Sequence, residues 1–395
     1  MRHPAILARF IIWKAKNIEH RSFLLILSVI IGIISGLLAV TLKTTVHYIE
    51  VFFTKSSTSE IGGENYYYLF YPLVGIFITV VFIRTFIKED ISHGITRILY
   101  SISRRRSIMK LHNIYSSIIA CTFTGGFGGS VGMEAPIVST GAAVGSNVGQ
   151  LFRLDFKTTT LLVACGATGA MAGIFGAPIA ALIFSLEVLM LDLTLTSIVP
   201  LLMASVTGSL VAKLLLTDKA LFHFSLKDTF DPMHLPFYIG LGVIAGLVSV
   251  YFTRMNMAIE ARFDQVQRPY HKLLLGGLFL GLLIFIFPPL YGEGYMAMKA
   301  VLSGSGSDLL NNSLFHDYKD NLWLLLGFLT LVLIFKVIAT SITTGTGGIG
   351  GIFAPTLFMG GITGYIFARL INYFEWVKLS ESNFALVGMA GLIAG

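Results

Sequence analysis

Gly132-Met133-Glu134-Ala135-Pro136 and Gly351-Ile352-Phe353-Ala354-Pro355 are two copies of one kind of peptide, each preceded by a glycine-rich run and set inside a long apolar stretch. A glycine-rich turn that breaks an apolar segment and restarts a helix presents unpaired backbone N–H groups at that helix's positive end. Within a membrane, few other arrangements hold an anion without a full positive charge. The first copy also carries Glu134, the only acid between Ile91 and Gln150. An ionisable group in the middle of an apolar stretch is costly to place there, so Glu134 is a functional-site candidate.

The two peptides belong to a longer repeat. At an offset of 219, Gly141 falls on Gly360 and Gly145 on Gly364, a shared small-xxx-small helix seam. At an offset of 222, Gly166, Gly169, Ala172 and Gly173 fall on Gly388, Gly391, Ala394 and Gly395. Interrupted helices at matching positions of two halves point to an ion site near the membrane midplane between inverted repeats. In the first half the seam runs on through Ile174-Phe-Gly-Ala-Pro178 and a helix ending at Glu187. The second copy therefore carries the expectation of an Ala-Pro turn and at least two further helices beyond Gly395, so the chain reads as C-terminally truncated.

Composition gives the class. Of 395 residues, 55% are hydrophobic and 12% charged, with a mean hydropathy of +0.79; a soluble domain carries roughly a quarter charged residues. The chain reads as an all-α polytopic membrane protein. Spans of about twenty residues are expected at Ser22–Leu42, Leu193–Ala212, Leu273–Tyr291 and Tyr66–Ile83, with Leu235–Thr253 borderline and Leu322–Phe335 short. Thr158–Leu186 and Val337–Ala368 are longer and dense in glycine, and read as broken or paired helices. Hydrophilic connections are confined to short stretches, which leaves no room for a soluble catalytic domain.

The net charge of +7 follows from topology. Basic residues gather at Arg2–Lys16 and Arg97–Lys110, and such clusters beside spans lie on the cytoplasmic side. No aromatic interleaving or binding module marks them as a nucleic-acid or headgroup patch. Residues 1–21 read as a cytoplasmic interfacial helix anchored by Trp13, 22–217 as the first transmembrane repeat and 218–395 as the second, incomplete one. Cys121 and Cys165, set among apolar and small residues, read as buried thiols.

Three separated motifs carry a family resemblance: Gly125-Gly-Phe-Gly-Gly-Ser-Val-Gly-Met-Glu-Ala-Pro136, Phe175-Gly-Ala-Pro-Ile-Ala-Ala-Leu-Ile-Phe-Ser-Leu-Glu187 and Gly347-Gly-Ile-Gly-Gly-Ile-Phe-Ala-Pro355. Together, in order and spacing, the chain resembles the CLC chloride channels and chloride/proton exchangers over nearly its whole length. The resemblance implies a homodimer in the bilayer, each subunit with its own chloride pathway built from an inverted repeat of tilted and broken helices. It implies chloride as the bound and transported ion, protons as a second ion in the exchangers, and no cofactor, metal or nucleic-acid partner. Glu134 resembles the gating glutamate, whose side chain occupies the outer anion site and swings away when protonated. The alternative reading of the residue is a carboxylate that only caps a helix. The backbone of Gly351, Ile352 and Phe353, with Ala135 beside the gate, resembles the anion-binding turns; a glycine-rich packing seam is the other reading of that peptide.

The chain departs from the pattern in three places. Where the family's Gly-Ser-Gly-Ile-Pro turn would fall, the residues are Ser92-His93-Gly94-Ile95-Thr96. His93 thus stands where a serine hydroxyl would meet the anion, and either donates from its ring nitrogen or merely caps the helix that begins near Gly94. Met133 replaces an arginine. Val188 stands where exchangers often place an internal proton-transfer glutamate, while Glu187 matches a neighbouring glutamate that is chiefly structural but within reach of a relay role. The central-site tyrosine would lie beyond Gly395.

Valine at 188 favours a channel; a chloride/proton antiporter is the alternative, because water can carry protons to the gate. A cation-coupled secondary transporter is more remote, since it would place several carboxylates in its spans. A membrane enzyme is not expected, for no His/Asp/Glu cluster or Gly-x-Ser-x-Gly turn stands out.

Overall fold

The computed structural model describes residues 19–56, 66–89, 94–190, 194–216, 231–266, 268–310, 313, 315, 321–375 and 377–395. These hold fourteen α-helices: α1 (His20–Ser56), α2 (Tyr71–Phe82), α3 (Gly94–Arg104), α4 (Asn113–Gly126), α5 (Glu134–Leu151), α6 (Phe156–Phe175), α7 (Pro178–Val188), α8 (Leu195–Leu215), α9 (Leu235–Asp264), α10 (Pro269–Ile286), α11 (Tyr295–Ser303), α12 (Leu322–Gly345), α13 (Phe353–Tyr373) and α14 (Glu381–Ala394). Seven helical stretches among the described residues are long and apolar enough to cross a membrane. The expected interfacial helix before Glu19, with Trp13, lies outside the described residues, as do Ser92 and His93.

The two long glycine-rich stretches are broken as their composition requires. Helix α6 ends where Gly176 takes a left-handed conformation (φ 67) and donates back to the Ala172 carbonyl, and Pro178 opens α7 at the first helical position. The second stretch is interrupted between Gly345 and Phe353. Two expectations are corrected. The run placed at Leu322–Phe335 does not stop short: α12 continues through the charged Lys336 to Gly345, capped at its start by the Asn321 side chain. The borderline stretch from Leu235 is a helix of 30 residues.

Packing divides the chain into two units, one of Met1–Thr44, Ile91–Ile118 and Ala135–Ala220, the other of Thr45–Asp90, Ile119–Glu134 and Leu221–Gly395. They do not coincide with the two sequence halves, since segments of the first half pack with the second. In the first unit, α5 and α6 meet backbone to backbone: a Cβ on Gly141 would strike the Gly166 carbonyl, and one on Gly145 would strike that of Leu162. In the second unit, α13 and α14 repeat this contact, with Gly360 against Gly388 and Gly364 against Phe384. Each pair obeys the offsets of 219 and 222 read from the sequence. Close approach of this kind supplies van der Waals packing where lipid leaves little hydrophobic drive.

Within the second unit the repeat-equivalent peptides pair with each other. Gly132 and Gly351 form an antiparallel bridge, Gly132 N–H donating to Gly351 O (2.8 Å) and Gly351 N–H to Gly132 O (2.7 Å). Around it the bonds come in matched pairs. Ser130 N–H donates to Thr343 Oγ1 (3.2 Å) and Ile349 N–H to Thr124 Oγ1 (3.1 Å), while Gly129 and Gly348 donate to the Thr124 and Thr343 carbonyls (2.8 and 2.9 Å). Gly128 and Gly347 both have positive φ, 90 and 104. Residue i meets the counterpart of j, and j that of i, which is the signature of a local two-fold axis through the bridge.

The threonine pair has a measurable consequence. Thr343→Val or Thr124→Val leaves one buried N–H without its acceptor, at a cost of about 1–3 kcal/mol. Thermal unfolding in detergent should show a loss for each variant, the larger for Thr124→Val, which also removes the bond between the Thr124 and Thr79 hydroxyls (3.1 Å). Destabilisation by one and not the other would show that the paired geometry is not paired energetically.

Candidate functional site

Glu134 is the first residue of α5 and is buried, with 1% of its surface exposed. Two residues after the bridge glycine Gly132, it is held at the crossing of the two peptides. Its Oε1 accepts a hydrogen bond from the hydroxyl of Tyr295, the first residue of α11, itself buried. The carboxylate also lies against its own backbone N–H and that of Ala354 in the first turn of α13, although Oε2 makes no hydrogen bond of good geometry. The first N–H groups of a helix have no intrahelical partner and carry the positive end of its dipole. Glu134 thus places its carboxyl group where α13 presents such groups.

Phe353, the counterpart of Glu134 at the offset of 219, opens α13 with Ile352 as its N-cap and Pro355 close behind, where a missing N–H costs nothing. Gly351 contributes the bridge. The structure therefore brings together Glu134, Gly351, Ile352 and Phe353. In the other packing unit it brings Gly94 against the backbone of Ala135, whose carbonyl a Cβ on Gly94 would strike. Ile95 follows in α3, which begins at Gly94 as expected. Glu187 is exposed and Val188 half-buried at the end of α7.

Three residues around Glu134 escaped the sequence reading. Tyr295 and Glu293 follow an apparent span end, and Lys336 interrupts an apolar run. Lys336 is fully buried (0% exposed); its Nζ donates to the carbonyls of Gly292 (3.0 Å) and Leu290 (3.4 Å) and lies 4.9 Å from the centre of the Phe358 ring. It also interacts electrostatically with Glu293, which is 7% exposed. A lysine isolated in an apolar run is a signal for a buried partner. Among the described residues no cluster of histidine, cysteine or carboxylate suits a metal ion.

Gly132 leaves room for the Glu134 carboxylate. A Cβ there would fall 2.9 Å from the Glu134 Cδ and 3.0 Å from the Ala354 Cβ. The carboxylate end of a side chain gives way more readily than the α13 backbone, so Gly132→Ala should push it from its seat beside Tyr295.

The profile of the family described as voltage gated chloride channel matches residues 74–395. The H(+)/Cl(-) exchange transporter ClcA of Vibrio cholerae is 26% identical over 388 residues, covering 94% of this chain and 78% of that protein. A putative chloride channel protein, ClcB-like, of Ralstonia nicotianae is 27% identical over 299 residues, covering 74% of this chain and 64% of that protein. Among solved structures, a slow cyanobacterial Cl-/H+ antiporter superposes with a TM-score of 0.79 at 21% identity, over 96% of this chain and 86% of that one. A CLC-type fluoride/proton antiporter gives 0.73 at 23% identity, over 94% and 86%. At these identities the structures speak for the fold.

Proposed function

As the chain belongs to the voltage-gated chloride channel family, we propose that it carries chloride across a membrane through a pathway gated by Glu134. The observation that supports this most is the position of that carboxylate, buried against the first turn of α13 beside the bridge that joins the two repeat peptides. A carboxylate there competes with an anion for the same N–H groups, and protonation removes the competitor. Gly351, Ile352 and Phe353 would bind the anion through their backbone. The protein would work as a homodimer, each subunit with its own pathway and its N-terminus in the cytoplasm. Glu134→Gln, which imitates the protonated gate, tests the role.

Val188 favours a channel, since it removes the usual internal proton carboxylate. Chloride/proton exchange is the second reading, favoured by the exchange named for the Vibrio cholerae relative and by a second buried carboxylate, Glu293, near the gate. Recording chloride and proton fluxes together separates the two.

A further inference from the structure

Around Glu134 the structure gathers ionisable groups drawn from four helices and one turn. Tyr295 at the start of α11 donates its hydroxyl to the Glu134 carboxylate. Glu293 lies two residues before Tyr295, in a turn made tight by Gly292 and Gly294, both with positive φ (59 and 86). A Cβ on Gly294 would reach 2.5 Å from the Phe358 ring, the ring over which Lys336 sits. Lys336 in α12 fixes the same turn through the Leu290 and Gly292 carbonyls and pairs electrostatically with Glu293. Tyr295 interacts electrostatically with both Glu293 and Glu134, and so does Cys121 of α4. From α1, Glu50 reaches the turn, its Oε1 2.9 Å from where a Gly292 Cβ would be, and interacts with Tyr291.

We propose that Glu293 is the second proton-exchanging carboxylate of this protein, joined to Glu134 through the Tyr295 hydroxyl. This rests on the transport reading above in its exchange form, and gives Glu293 the part that Val188 leaves unfilled. The step balances. Tyr295 gives its hydroxyl proton to Glu134 Oε1 while its oxygen takes one from the Glu293 carboxyl, directly or across one bridging water. Glu293 ends one proton poorer and Glu134 one richer; no electron moves. Lys336 steadies the Glu293 carboxylate after the proton leaves, and the reverse step returns it. A buried lysine amine with two backbone acceptors and an electrostatic partner in Glu293 is an expensive arrangement, and a recurring charge on Glu293 gives it a use.

The test uses the full chain in liposomes with a chloride gradient and a clamped membrane potential, and reads the ratio of protons to chloride moved. Glu293→Gln should lower that ratio by roughly tenfold or more, and Tyr295→Phe should do the same. An unchanged ratio in folded Glu293→Gln overturns the proposal. Should the single variant fail to fold, the pair Glu293→Gln with Lys336→Met, which leaves no uncompensated charge, is read by the same criterion. Unsubstituted protein that moves chloride without protons overturns the relay and leaves chloride transport standing. Folded unsubstituted protein that moves no chloride overturns both.

Discussion

Chloride efflux through the Glu134→Gln variant is expected to lose its response to pH and, at neutral pH, to exceed that of the unsubstituted protein by roughly 10–100-fold. The size follows from what the substitution removes. Glu134 accepts from the Tyr295 hydroxyl and faces the Ala354 N–H, and hydrogen bonds to a charged group are worth about 1.5–3 kcal/mol. An anion entering the site must displace that carboxylate. The neutral amide keeps the shape and removes the charge, so the competition ends and the titrating group is gone. Gly132→Ala acts on the same carboxylate by steric means and should move flux in the same direction with Glu134 itself retained. Agreement between the two variants would separate displacement of the gate from loss of its charge. Efflux through Glu134→Gln with the pH profile of the unsubstituted protein would remove Glu134 from the gate.

The second large effect is on stability. Lys336→Met should destabilise the protein by about 3–5 kcal/mol, because it takes both a donor to the backbone and the electrostatic partner of Glu293 from a buried turn. Lys336 is also the donor to the Leu290 and Gly292 carbonyls, so the turn that carries Glu293 and Tyr295 loses its tie to α12. Adding Glu293→Gln should recover part of the loss, since a neutral amide then stands in place of the Glu293 carboxyl group. Unfolding temperature in detergent, with size-exclusion profiles as the check on integrity, reads both. A Lys336→Met variant as stable as the unsubstituted protein would mean that Lys336 carries little of the turn's stability.

The parts of the fold legible in the sequence are those written in repeated local patterns. Gly132 and Gly351 stand at the same offset as the Gly141–Gly360 and Gly145–Gly364 seams, and all three pairs take equivalent places in the structure. The break at Gly176–Pro178 was likewise written in residues with special backbone needs. Thr124 and Thr343 share the offset too, yet a threonine among small residues gives no hint that its hydroxyl will accept from a distant backbone N–H. The gate's surroundings were less legible for a different reason. Tyr295 meets Glu134 across 161 residues of chain, and no periodicity encodes such a pairing. Lys336 read as the end of a span because hydropathy counts a charge against a membrane helix, whereas two carbonyls and a carboxylate allow α12 to carry it inside. Glu134 was legible because its flanking glycines and proline declare a helix start as well as a buried charge.

Chloride efflux from liposomes holding the full chain, recorded together with external proton concentration while pH is stepped, tests the central claim most directly. The account predicts chloride efflux that rises as pH falls, as protonation clears Glu134 from the α13 N-terminus, and that loses this dependence in Glu134→Gln. Efflux that is absent from the folded protein, or that is indifferent to pH before any substitution, would contradict it.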